Sequence, residues 1–323
     1  MNPLARRLQE EIRRNGPISF HRFMEAALYD PESGYYRQPR DPFGKGGDYY
    51  TAEQLQPVFG ILIARQVRVL FEELGSPRDF VVVELGAGRG EMAEAFSQWN
   101  YIPVELSAGA LPERFTGVVF ANEFFDALPV HVITWRAGAA RELRVGCQAG
   151  RFVWVEGDRA SSEVEAWLRA YLPPLQESQI VEVNLDALRW LDRIAAALES
   201  GYVLTIDYGY TRAEAARFPE GTLMSYRRHA ALENVLDGPG ERDITAHVCF
   251  TALEEHGAAR GLDKIRFETL AQTLLRAGEV DEFSAALKAG TAAEEIQRRL
   301  QLKNLLFGMG ETFRTLLQRR EQK

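Results

Sequence analysis

Cysteine is nearly absent from this chain: two in 323 residues, Cys147 and Cys249, far apart in sequence. Two such positions make neither a disulfide framework nor a zinc-ligand pattern, and they point to a reducing compartment. No run of about 18 apolar residues occurs, which excludes a membrane-crossing helix. The segment Met1–Arg7 has no apolar core, so it does not read as a secretory signal. Its arginines are followed at once by Glu10 and Glu11, as in a folded amphipathic helix and not a mitochondrial transit peptide. A cytoplasmic location is expected. Positive charge is in the minority, with 38 Lys and Arg against 46 Asp and Glu, a net charge of −8. That balance argues against a general nucleic-acid binder and favours a cationic partner. Repeats and low-complexity runs are also missing. What remains, 46% hydrophobic and 26% charged, is an ordinary globular composition long enough for one large domain or a domain with an insertion.

The most informative stretch is Val81-Val82-Val83-Glu84-Leu85-Gly86-Ala87-Gly88-Arg89-Gly90. Three β-branched residues predict a short strand buried on both faces. An acid stands at its carboxyl end, three glycines follow at alternate positions, and Glu91 to Phe96 reads as a new helix. Glycines let backbone approach a ligand, and a helix start offers free N–H groups. The dinucleotide fingerprint needs G-x-G-x-x-G, but the third glycine position is Glu91 here. A carboxylate beside Gly86 repels a pyrophosphate and accepts from an amine. The loop therefore suits S-adenosylmethionine, which carries a sulfonium and an α-ammonium group and no phosphate. Dinucleotide binding and a ligand-free glycine turn remain the alternatives at this point.

The rest of the chain supports an open α/β sheet. Leu4, Leu8 and Ile12 stripe a first helix, and Ser19 caps a second. A glycine-dense, aromatic loop from Phe43 to Glu53, including Gly47 and Asp48, reads as a lid or as a mobile surface loop. A helix over Pro57–Leu74 follows. Tyr101–Leu106 reads as a strand, with Glu105 about twenty residues past the glycine loop, where a second Rossmann-type strand presents a carboxylate to ribose. Gly90 and Ala121 lie too close in sequence for two full strand–helix units. One unit is abbreviated, and Ile102–Glu105 is either the second strand or a remnant of the third. The strand Phe115–Ala121 ends in Asn122, Glu123 and Asp126, either a reactive strand end or a helix start decorated with acids. Residues 131–180 then alternate in short strands, as in an inserted antiparallel meander. From Glu279 onward the sequence reads as helical. The expected division is residues 1–75, helices and lid, and 76–323, the sheet domain with its insertion and a helical C-terminal part.

Several motifs together resemble the MidA family: Gly34-Tyr35-Tyr36, Gly47-Asp48-Tyr49 with Thr51 and Glu53, Phe59-Gly60, Val83 to Gly90, Glu123 to His131, Asp207-Tyr208-Gly209 and Asp243 to Val248. The match spans nearly the whole chain, and Glu123-Phe124-Phe125-Asp126-Ala127-Leu128-Pro129-Val130-His131 is its most specific part. The resemblance implies a Rossmann-like class I methyltransferase fold with extra elements, S-adenosylmethionine as cofactor and protein arginine as substrate. Two departures stand out: the segment after the second strand is short, and Cys249-Phe250 replaces the usual Asp-Phe. The expected site is Glu123 and Asp126 gripping a guanidinium, with Glu84, Gly86, Gly88, Gly90, Glu105, Asn122, Gly47 and Asp48 around the cofactor. The rival readings are a non-catalytic assembly protein on this fold and a small-molecule methyltransferase.

Overall fold

The computed structural model describes residues 2–38, 52–105, 109–227, 230–231 and 234–322. The chain forms two compact units that interleave in sequence: Met1–Tyr50, Asp126–Leu188 and Tyr210–Ala252 in one, Thr51–Phe125, Arg189–Gly209 and Leu253–Lys323 in the other.

The second unit is built on a twisted sheet. Its strands are β1 (Val81–Leu85), β2 (Asn100–Val104), β3 (Phe115–Asn122), β4 (Leu198–Tyr210), β5 (Asp263–Thr269) and β6 (Phe313–Arg320), in spatial order β5-β6-β4-β3-β1-β2. β2, β1, β3 and β4 run parallel, while β6 is antiparallel to both of its neighbours. Every residue of β1 is buried, as its unbroken Val-Val-Val run predicts. Helix α1 (Val58–Glu73) lays Val58, Phe59, Leu62, Ile63, Val67 and Leu70 on the sheet. Val82, Phe120 and Leu204 belong to the same core, as do Leu270 and Leu274 of α2 (Leu270–Glu279) and Leu305 of α3 (Ala292–Phe307).

β2 settles the question of the abbreviated half. It pairs directly with β1, from Val81 opposite Asn100 to Leu85 opposite Val104, so it is the second strand and not a remnant of the third. Among the described residues no strand lies beyond it. The helical C-terminal part expected from the sequence is corrected. α3 stops at Gly308, and Phe313–Arg320 is a strand lodged between β4 and β5. Phe313, Thr315, Leu316, Leu317 and Gln318 are all buried, because an interior strand hides both faces. Its apolar residues, Phe313, Leu316 and Leu317, fall at i, i+3 and i+4, the spacing of a helix face, while the buried Thr315 and Gln318 are polar.

The first unit holds an antiparallel sheet made of His131–Arg136, Ala139–Gln148, Arg151–Arg159, Ile180–Val183 and the short Ile18–Ser19. Its N-terminal helix Pro3–Asn15 buries Leu4, Leu8 and Ile12 with Phe20, Phe23, Val132, Val145 and Ile244. Asn2 caps that helix, accepting from the Ala5 amide at 2.7 Å.

Two glycines let the parallel strands approach. Gly117 of β3 stands opposite Val81 of β1 and Gly201 of β4. A Cβ on Gly117 would come within 1.9 Å of the Val81 carbonyl oxygen, and one on Gly201 within 1.9 Å of the Gly117 oxygen. Gly117→Ala is therefore expected to lower unfolding free energy by about 1–3 kcal/mol through overpacking. A urea titration followed by circular dichroism checks this; an unchanged midpoint would show that the strands can separate freely.

Candidate active site

The site is assembled in the second unit at the carboxyl ends of β1, β2 and β3. Gly86, Gly88 and Gly90 follow β1 with φ of +71°, +52° and +78°. At Gly86 a Cβ would press on the Phe124 ring at 3.0 Å, and the positive φ strains any other residue there. Glu105, just past β2, turns onto this loop and accepts the Gly88 amide at 2.9 Å through Oε2. A carboxylate read from the sequence as a ribose ligand thus also braces the glycine loop.

β3 delivers Asn122 and Glu123. The chain then makes a sharp turn, not a helix start, with Glu123 in the left-handed region at φ +49°. Such a conformation in a non-glycine residue costs on the order of 1–3 kcal/mol and persists where surroundings enforce it. The enforcement is visible. The Glu123 amide donates to the Ile206 carbonyl at 2.9 Å. Glu123 Oε1 accepts from the Ala52 amide at 3.2 Å and the Asn122 side-chain amide at 3.3 Å. Asp207, at the end of β4, accepts from the Phe125 amide at 3.1 Å through Oδ2 and so fixes the turn from its other side. Asp126 lies in the other compact unit, buried, its carbonyl accepting from the Ala246 amide at 3.0 Å. Gly47 and Asp48 lie outside the described residues.

The electrostatics centre on Glu84. It is 1% exposed, and its Oε2 accepts the Tyr101 hydroxyl of β2. Glu53, 8% exposed, is a second buried carboxyl that acts on it electrostatically. Burial raises Glu84 to about 7, against the pull of Tyr101 and Glu53, with Glu91 and Glu105 pushing the same way as burial. Glu53 is driven well above the usual carboxylate range, by burial first and then by Glu84, Glu123 and Glu91. Burial and Glu84 together raise the Tyr101 hydroxyl as well. Among the buried side-chain atoms here without a hydrogen-bond partner are Glu84 Oε1, Asn122 Oδ1 and both amide atoms of Gln54.

The donor set fits S-adenosylmethionine. The glycine loop can approach a ligand without a Cβ, Glu105 stands at the end of the second strand, and the unpartnered acceptors call for a ligand that brings N–H donors and positive charge. Nothing in this set suits a phosphate, which would face carboxylates.

Comparison with known proteins agrees. The model of the S-adenosyl-L-methionine-dependent methyltransferase family Methyltransf_28 matches residues 96–268, just over half the chain. The protein belongs to this family. It is 31% identical to a COG1565 superfamily member from Burkholderia thailandensis whose crystal structure holds S-adenosyl-homocysteine; the match covers 99% of this chain and 92% of that one, with a TM-score of 0.87. It is also similar to proteins named protein arginine methyltransferase NDUFAF7, mitochondrial. The Drosophila melanogaster homologue is 27% identical over 80% of this chain and 70% of its own length. The Homo sapiens protein is 25% identical over 85% and 74%. The MidA-like resemblance, the α/β methyltransferase fold and the S-adenosylmethionine cofactor therefore hold. No helix among the described residues is long and apolar enough to cross a membrane.

Sequence reading passed over Tyr101, Glu53 and Asp207 as site residues. Asp207 gave a usable signal, an acid closing an apolar strand as Glu84 does. Glu53 lay in the lid loop and in a motif of the MidA resemblance without a role of its own, and Tyr101 gave no signal.

The raised carboxyls set a direction for pH dependence. Between the ordinary carboxylate range and about 7 the folded protein holds a proton at Glu84 that the unfolded chain has lost. Stability of the ligand-free protein should therefore fall as pH rises through that window. Urea midpoints at pH 5.5 and 8 test this, and Glu84→Gln should reduce the difference while leaving the part due to Glu53. An undiminished slope in that variant would place the proton elsewhere.

Proposed function

We propose that this methyltransferase acts on an arginine side chain of a protein substrate. The observation that carries the reading is Glu123, a strand-end carboxylate held in a left-handed turn by the Ala52 amide and the Asn122 side chain. The arginine specificity named for the similar mitochondrial proteins supports it. A guanidinium is a weak nucleophile, because it is cationic and delocalised with a pKa above about 12. A carboxylate that takes two of its N–H groups fixes its plane and gathers positive charge away from the third nitrogen. That nitrogen is then free to lie on the axis of methyl transfer, and catalysis is mostly alignment. The cofactor supplies the electrophilic methyl group. Glu123 is assigned to the guanidinium, with Asp126, three residues on in the chain, as the second candidate carboxylate. Gly86, Gly88, Gly90 and Asn122 line the cofactor, Glu84 faces its ammonium end, and Glu105 takes the ribose. Gly47 and Asp48 are assigned to the cofactor side of the lid. Cytoplasmic residence is part of the proposal, against the mitochondrial names of the similar arginine methyltransferases; fractionation of cells expressing the protein decides it.

Two variants separate the roles. A charge-assisted hydrogen bond is worth about 1.5–3 kcal/mol, so Glu105→Ala should weaken S-adenosylhomocysteine binding roughly ten- to a hundred-fold by calorimetry. Unchanged affinity would remove Glu105 from the cofactor site. Glu123→Gln should bind cofactor normally and fail to restore arginine methylation, read by mass spectrometry in a strain lacking the wild-type protein. Equal loss of binding and methylation would move Glu123 into the cofactor site. A methylarginine inventory that never depends on the protein would overturn the substrate.

A further inference from the structure

The glycine elbow is held from two sides. On the β2 side the Gly86 amide donates to the Val104 carbonyl at 2.9 Å, and Glu105 takes the Gly88 amide. On the β3 side the support is a side chain. Phe124 follows the left-handed turn at Glu123, and its ring lies where a Cβ on Gly86 would point, 3.0 Å from that position. A ring packed so closely on the first glycine limits how far the elbow can move. Phe124 is itself only half-buried, so something must keep the ring in place.

Two further rings do so. Phe125, fully buried, meets Phe124 at 5.2 Å between centroids and 79° between planes. Trp190, on the helix Leu185–Ala197, meets it at 5.2 Å and 85°. Both are edge-to-face contacts, an arrangement that aromatic quadrupoles favour. Phe125 is a core residue. Trp190 is not: Leu191 and Ile194 of the same helix are fully buried, while Trp190 stays half-buried and carries the Arg193 guanidinium 3.9 Å above its ring. That stacking holds the plane of the indole. The contacts run in one line from the helix surface to the elbow, through Arg193, Trp190, Phe124 and Gly86, all in the second unit. No role assigned above uses Trp190 or Phe124.

We infer that Trp190 is a positioning residue for cofactor binding: it holds the Phe124 ring against Gly86 and so sets the path of the elbow on which the cofactor is seated. The inference rests on the placement of the cofactor at Gly86 proposed above. Trp190 touches neither the cofactor nor the transferred methyl in this scheme. It acts through Phe124, and a ligand seated on the elbow bears on Phe124 and through it on the indole.

Calorimetric titration of the full-length protein with S-adenosylhomocysteine tests this. Trp190→Leu fills the space without a ring edge, and should weaken binding about five- to tenfold, the range that one edge-to-face contact can supply. Trp190→Phe keeps a ring and should recover most of that loss. Undiminished binding in Trp190→Leu overturns the inference, and so does a loss in Trp190→Phe as large as in Trp190→Leu. Residues that act through one contact are not additive. Once Phe124→Ala has been made, adding Trp190→Leu should therefore cost little more, and full additivity overturns the route through Phe124. Fluorescence decides the matter even if Trp190→Leu fails to fold. The ligand should alter the tryptophan emission of the wild type, and Trp190→Phe, which retains four of the five tryptophans, should lose most of that change. No change in the wild type, or a change that survives whole in Trp190→Phe, overturns the inference. Gly86→Ala should bind the ligand weakly; undiminished binding there defeats the placement of the cofactor at the elbow itself.

Discussion

A buried carboxyl at the end of a buried strand governs this structure. Glu84 lies near the end of β1, between parallel neighbours, and Tyr101, Glu53, Glu91 and Glu105 act on its charge. A site of this kind is destabilised when empty and ionised, and relieved by a proton or a cationic ligand. The same sheet also buries Asn122, Thr205, Asp207, Thr315 and Gln318. The geometry around Glu84, from the left-handed turn at Glu123 to the loop braced by Glu105, serves to hold acceptors in place ahead of a ligand. Preorganised acceptors need no rearrangement when charge arrives, which is the condition under which electrostatic alignment is most effective.

The parts of the fold that were legible in sequence are the local ones. The Val81–Gly90 elbow declares itself because strand, acid and glycines are contiguous, and each has a reason to be that residue type. Asn122 and Glu123 were readable for the same reason, as the polar end of an apolar strand. Glu105 was readable through spacing alone, and the structure places it on the glycine loop by a bond to Gly88. What stayed hidden depends on long-range contact. Nothing near Glu53 in the chain announces a carboxyl neighbour; Glu84 becomes one only when the fold brings the short helix Ala52–Gln54 and β1 into one site. The strand character of Phe313–Arg320 was hidden by ambiguity of period, since a segment buried on both faces loses the alternation that marks a strand.

The interleaved units share this long-range character. The elements that surround Glu84 come from residues 52–54, 81–105 and 115–125, whereas the antiparallel sheet is drawn from residues on either side of them in sequence. Local propensity defines each strand, but which strands share a core is decided by burial, and a linear reading sees only the first of these.

β6 carries a consequence for how the molecule is made. Phe313–Arg320 occupies an interior lane of the sheet, hydrogen-bonded on one side to β4 and on the other to β5. Until the ribosome has released that segment, β4 presents an open edge of unpaired amides and carbonyls, and β5 has no partner through which to join the sheet. Contacts so distant in sequence form slowly, because a long loop must close before they are rewarded. The nascent chain therefore passes through an interval in which the glycine elbow and its acids already exist and the sheet behind them is incomplete. Completion of this sheet therefore waits on β6, which pairs β4 on one side and β5 on the other.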